Sequence, residues 1–167
     1  MAAATPNGAQ FLPQGALLQH FWVAGYDIVL NFPEASLYKT HNDAYFGETI
    51  GRTTNRIKDA RIVGLNGKDC TLAQNDGLNS LHGGREGWGK KIFEGPKSVS
   101  RHGKEAVQFT YLSPDGDEGF PGTVECRVWY TTWEEKEDQI LVLEMEYEVE
   151  LIGEECEETI AGVTNHR

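Results

Sequence analysis

The chain has no apolar run long enough to cross a bilayer, and no segment in which hydrophobic residues recur at helical spacing with caps at both ends. Basic residues are absent from its first 38 positions, the first being Lys39. The apolar segment near Leu17 therefore lacks the charged flank of a secretory signal. Gln19, His20 and Asp27 interrupt that segment well short of membrane thickness. Neither a leader nor a membrane span is expected. Cysteine is scarce, and Cys70, Cys126 and Cys156 are odd in number and widely spaced. That pattern excludes a disulfide framework and a CxxC metal site. Free, mostly buried thiols in a reducing, cytoplasmic compartment are the expectation, with a catalytic cysteine as the lesser alternative. Basic charge is short overall: 15 Lys and Arg stand against 26 Asp and Glu, a net charge of −11. Such a field repels nucleic acid and anionic membrane alike, so no partner of either kind is expected.

What the chain does have is glycine, 19 in 167 residues, and an ordinary share of apolar residues. The length suits one domain or a large piece of one, and the glycines favour turns between short strands. Residues 1–14 read as a loose tail or entry strand, and 15–167 as one domain. Ala16–Val23 and Asp27–Phe32 read as strands about the Ala24-Gly25 turn, and 33–46 as loop. Asn66-Gly67 between Arg61–Leu65 and Lys68–Leu72 is a strong hairpin signal, because both turn positions need positive φ. A second hairpin is expected at Ser98–Arg101 and Glu105–Leu112, turning at His102-Gly103. From residue 124, Val124, Cys126, Val128 and Tyr130 alternate with Glu125, Arg127, Trp129 and Thr131.

The clearest strand is Ile140–Ile152. Leu141, Leu143, Met145, Tyr147, Val149 and Leu151 fall on one face, and Glu144, Glu146, Glu148 and Glu150 on the other. The glutamate face must meet water or a partner carrying Arg and Lys. The pattern as a whole predicts an all-β protein, an antiparallel β-sandwich or barrel.

Three clusters carry candidate chemistry. In Gly51-Arg52-Thr53-Thr54-Asn55-Arg56, arginine beside asparagine offers forked donors and an amide that both donates and accepts, the kind of groups that bind sugar hydroxyls. In Asn79-Ser80-Leu81-His82-Gly83-Gly84, a histidine precedes two glycines, where the backbone can turn sharply beside a ligand. Thr164-Asn165-His166 follows the strand-like Thr159–Val163 and puts a histidine at a strand end. Each also has a plain reading: a surface arginine, a structural histidine, a frayed end. His20, His41 and His102 lack a cysteine or carboxylate at ligand spacing and read as structural or exposed. The acid-rich turn Ser113–Gly122 lacks EF-hand spacing and reads as a tight loop near a site.

Taken together, YFGETIGRTTNRI, the LNGKDCTL hairpin, NDGLNSLHGG with REGWGKKIF, YLSPDGDEGFPGTVECRVWYT and the terminal TNH resemble the aldose 1-epimerase (galactose mutarotase) family, in order and spacing, over nearly the whole chain. The GETIGRTTNRIKDA variant looks most like fungal members. The resemblance implies an antiparallel β-supersandwich, incomplete at its C-terminal side, and an isomerase that interconverts α and β anomers of hexoses such as galactose and glucose. A base takes the proton of the anomeric hydroxyl while an acid protonates the ring oxygen; the ring opens, rotates and closes. Only protons move, so neither cofactor nor metal is implied. By position, His166 matches the general acid and His82 the second active-site histidine that holds substrate near the ring oxygen. Asn55 and Arg56 match the pair that contacts sugar hydroxyls. Family members are longer, and their glutamate base and a substrate-binding aspartate have no counterpart in these residues. The resemblance thus implies a site with its acid side alone, sheet edges left open to self-association, and little activity from this stretch by itself. A non-catalytic carbohydrate-binding or regulatory remnant is the alternative reading. An epimerase of hexose 6-phosphates would want extra basic residues around the site, and the acidic balance counts against it.

Overall fold

The computed structural model describes residues 3–4, 8–135, 137 and 140–166. Strand β1 (Ala3–Ala4) pairs with β2 (Ala9–Leu12), β2 with β3 (Leu17–Val23), and β3 with β4 (Tyr26–Asp27), all antiparallel. A helix, α1 (Ala35–His41), follows. Short pieces come next: β5 (Thr49–Ile50), β6 (Arg56–Ile57), the hairpin β7 (Arg61–Leu65) and β8 (Lys68–Thr71), then β9 (Ser80–Leu81). The second large sheet is the antiparallel meander β10 (Glu94–Arg101), β11 (Lys104–Ser113), β12 (Val124–Glu135) and β13 (Ile140–Leu151). Last, β14 (Thr164–Asn165) returns to pair with β5.

The architecture is all-β and antiparallel, with one sheet packed on the other. Ala9, Phe11, Leu18 and Phe21 of β2 and β3 pack with Val107, Phe109, Val124, Cys126, Val128 and Tyr130 of β11 and β12 in one buried cluster that also holds Trp88 and Phe93. Phe11 stacks on Tyr130 with ring centroids 4.2 Å apart, and the Tyr130 hydroxyl donates to the Ala16 carbonyl at 2.6 Å. Burying a side chain of this size contributes about 1.5–3 kcal/mol relative to exposure. Cys126 lies inside this cluster, where burial pushes its thiol up to about 12, so it stays an unreactive thiol. The cysteines are all free.

The strand patterns read from alternation hold. The Asn66-Gly67 turn has φ of 52° and 72° and joins β7 to β8. His102-Gly103 joins β10 to β11, and β13 runs the expected length beside β12. The glutamate face of β13 meets arginines of its own sheet. Arg101 ion-pairs with Glu146 and lies over the Trp129 ring at 4.0 Å, and Arg127 pairs with Glu125, Glu148 and Glu150.

Four readings need correction. The segment 27–32 leaves the sheet after Asp27, because that carboxylate gathers the Phe21 and Val29 amides, the Asn31 side chain and His20 at 2.6 Å. His20, expected without a carboxylate, has one seven residues on. The stretch 33–46 contains α1, which shows no hydrophobic period because it buries a single residue, Tyr38, whose ring packs edge-on to Phe32. Residues 1–14, read as a loose tail or an entry strand, do contain a strand, β2, whose Phe11 is buried in the core. Thr159–Val163 is extended but outside any ladder. Its groups bond to loops instead, Thr159 Oγ1 to the Pro121 carbonyl at 2.6 Å and the Gly162 amide to the Arg52 carbonyl at 2.9 Å.

Candidate active site

Arg52 sets the foundation. It is 1% exposed, and burial lowers its pKa below the usual arginine range without discharging it. Its guanidinium donates to the carbonyls of Pro121 (2.8 Å) and Gly122 (2.9 Å) and to Ser113 Oγ (2.7 Å). One fork thus ties the acid-rich turn to the Gly51–Arg56 segment. Two of the turn's acids are spent on backbone, Asp115 accepting from the Gly122 amide and Glu118 from the amides of Arg85 and Glu86, and Asp117 accepts from the Ser113 hydroxyl at 2.8 Å. Among the described residues no group of His, Cys, Asp and Glu is arranged to hold a metal ion.

The His82 turn is built by close backbone approach. β6 pairs with β9, putting Arg56 opposite Leu81. Asn75 pins the turn from below, its side chain bonding the Leu81 amide and carbonyl and the Gly84 carbonyl. Gly83 has φ of +82°, and a Cβ there would come within 1.9 Å of the Gly51 carbonyl oxygen, so no other residue fits. The His82 amide donates to the Asn55 carbonyl at 3.0 Å, and the Asn55 amide donates to His82 Nδ1 at 3.2 Å. With Nδ1 occupied as an acceptor, the neutral ring carries its proton on Nε2 and can donate from there.

His166 arrives from the other end of the chain. β14 lies on β5, the His166 amide donates to the Glu48 carbonyl at 2.9 Å, and the Gly47 amide donates to the His166 carbonyl at 2.7 Å. Asn165 Nδ2 adds a bond to the Gly47 carbonyl at 2.7 Å. The His82 and His166 ring centroids are 5.3 Å apart, nearly perpendicular. Tyr45 completes the group, 5.0 Å from His82 and 5.7 Å from His166. Lys90 sits over the Tyr45 ring at 4.8 Å, held by the Asn42 carbonyl and by the buried Glu48 carboxylate at 2.8 Å. Burial raises the Glu48 pKa despite that lysine. His82 moves the other way: burial, then the nearby His166 and Arg56, lower its pKa from 6.5.

The four residues expected from sequence are thus placed together. Asn55 and Arg56 are exposed beside the ring cluster, with Arg56 Nε donating to Asp76 Oδ2 at 2.6 Å. Tyr45 and Asp76 join them without a signal in the sequence. Tyr45 reaches the histidines from a left-handed backbone (φ +58°), and Asp76 meets Arg56 only because the Asp76–Asn79 turn folds back. Neither has a local signal, although both lie inside the stretches that carry the resemblance.

The aldose 1-epimerase family model matches residues 4–167. The chain belongs to the aldose 1-epimerase family. Over 105 residues it is 42% identical to the galactose mutarotase of Bos taurus, covering 63% of this chain and 29% of that protein. Over 118 residues it is 36% identical to the bifunctional protein gal10 of Schizosaccharomyces pombe, covering 70% of this chain and 16% of that one. The crystal structure of a GalM/aldose epimerase homologue from C. elegans superposes with a TM-score of 0.71 and 27% identity, over 99% of this chain and 48% of that one. The chain therefore spans less than a third of the length of the mutarotase relative and about half of the solved epimerase homologue. Among the described residues, no helix is long and apolar enough to cross a membrane.

Proposed function

We propose that these residues form the acid side of a mutarotase site for hexoses such as galactose and glucose. The observation that carries this reading is the meeting of His82 and His166, 84 positions apart in sequence, at 5.3 Å around one tyrosine. In this reading His166 protonates the ring oxygen as the ring opens. His82, its proton held on Nε2, donates to the substrate near that oxygen, and Asn55 and Arg56 bind hydroxyls. Imidazole is the side chain whose charge changes closest to neutrality, which suits proton transfer to a ring oxygen. The reaction moves protons alone, and the residues call for no cofactor.

The resemblance assigns no base to these residues, and in this reading the base that takes the anomeric proton is supplied from outside them. Acid and base each contribute about 10²- to 10⁴-fold, so residues 1–167 alone should be slow. The same gap is what favours the second reading, a sugar-binding module without catalysis. Free thiols fit a cytoplasmic setting, and the open edge of β13 fits self-association.

The test is twofold. Titrating galactose should shift the ring resonances of His82 and His166, and no shift in either would end the sugar-site reading. In polarimetry of freshly dissolved α-galactose, residues 1–167 should match buffer. Rapid mutarotation lost in His166→Ala would support the acid role and overturn the statement that the base lies elsewhere.

A further inference from the structure

The two cations tied to the ring cluster, Lys90 and Arg56, each carry a carboxylate. Lys90 is bound to Glu48, which is fully buried. Arg56 is different, because both it and Asp76 stay open to solvent, with side chains 53% and 36% exposed. Asp76 Oδ2 accepts a hydrogen bond from Arg56 Nε–H, while Asn55 Oδ1 accepts from the guanidinium at 3.4 Å. The pair is half open to solvent, and Arg56 lies close enough to His82 to bear on that ring. The second Asp76 oxygen and the remaining guanidinium N–H groups add up to one acceptor and several donors with no net charge. A sugar hydroxyl, which donates once and accepts, can use both at once. A phosphate ester cannot, because the same carboxylate repels it.

We propose that Asp76 is a specificity-determining residue of this site, holding Arg56 as an uncharged hydroxyl-reading pair that favours free sugars over sugar phosphates. The proposal rests on the sugar-site reading above, but its central test does not. The backbone of Asp76 is bonded to Asn79 in both directions, so the turn survives a side-chain amide. Asp76→Asn leaves Arg56 as a free cation. Asp59→Asn removes an equal charge from a neighbouring turn, where the Asp59 carboxylate pairs with the exposed Lys58 at 4.0 Å and its amide donates to Asn79 Oδ1.

The probes are inorganic phosphate, galactose and galactose 6-phosphate, followed by the Arg56 Nε–H and His82 ring signals in NMR. Wild type should bind galactose at least as well as galactose 6-phosphate, with phosphate shifting both signals only weakly. Asp76→Asn should bind phosphate about threefold tighter than wild type, as expected from removing one charge at this range, and galactose about threefold weaker. Asp76→Glu should keep the wild-type order, and Asp59→Asn should change nothing. Equal phosphate binding by wild type and Asp76→Asn, the same gain in Asp59→Asn, or a wild-type preference for galactose 6-phosphate would overturn the proposal. The phosphate arm reads the Arg56–Asp76 coupling even if no sugar binds, so failure of the sugar-site reading shows separately as galactose leaving the histidines unmoved.

Discussion

His82 shows how a single hydrogen bond assigns a chemical role. The Asn55 amide occupies Nδ1, and burial, with His166 and Arg56 nearby, disfavours a second proton. In the unfolded chain the same ring titrates near 6.5. As pH falls, the unfolded state therefore takes up the proton first, and stability present above about pH 6.5 is lost toward the lower folded value. The expected outcome is that the wild-type urea midpoint drops from pH 7 to pH 5 by more than that of His82→Gln, in which this proton is absent. The ring itself should titrate below 6.5 by NMR. Equal pH dependence in both proteins would show that the environment of His82 is not the one described. The four site residues were legible because each stands in a local pattern: arginine next to asparagine, histidine ahead of paired glycines, histidine at a strand end. Tyr45 and Asp76 were not, since a left-handed turn and a hairpin folded back onto β6 bring them in.

Elements with a two-residue period declared themselves, and elements held by side chains did not. The hairpins at Asn66-Gly67 and His102-Gly103 and the long β12–β13 pair follow from alternation and turn chemistry alone. Helix α1 is fastened by Tyr38 and the 27–32 turn by Asp27, contacts that leave no period behind. The His82 turn is the element on which the site depends most. Gly83→Ala should destabilise the chain by about 3 kcal/mol or more, because a left-handed φ and a backbone clash act together. Urea denaturation measures the loss. The same variant should weaken galactose binding, since the Gly51 carbonyl that Cβ would strike lies in the segment carrying Asn55 and Arg56. A loss under about 1 kcal/mol would mean that the turn yields more easily than its packing implies.

At the scale of the whole molecule, the strands of the second large sheet are buried unequally. Phe109 of β11 and Val124, Cys126, Val128 and Tyr130 of β12 are fully enclosed, whereas Leu141, Leu143, Met145, Tyr147, Val149 and Leu151 of β13 pack against the same core only in part. β13 is also the outer strand of its sheet, twelve residues long, and Ile140 is 48% exposed. A long edge with a half-covered apolar row is a template for strand pairing and a surface that apolar dyes bind. The acid on its other face opposes this only weakly, because Arg101 and Arg127 neutralise much of it. Residues 1–167 should therefore sediment as a concentration-dependent mixture of monomer and larger species. Leu143→Lys should shift that mixture toward monomer and reduce dye fluorescence, while the opposite edge strand, β10, is already broken by a bulge between Glu94 and Lys97 and should tolerate an added charge without effect. A strictly monomeric wild type at high concentration would show that the ionic face of β13 suffices to keep the edge closed.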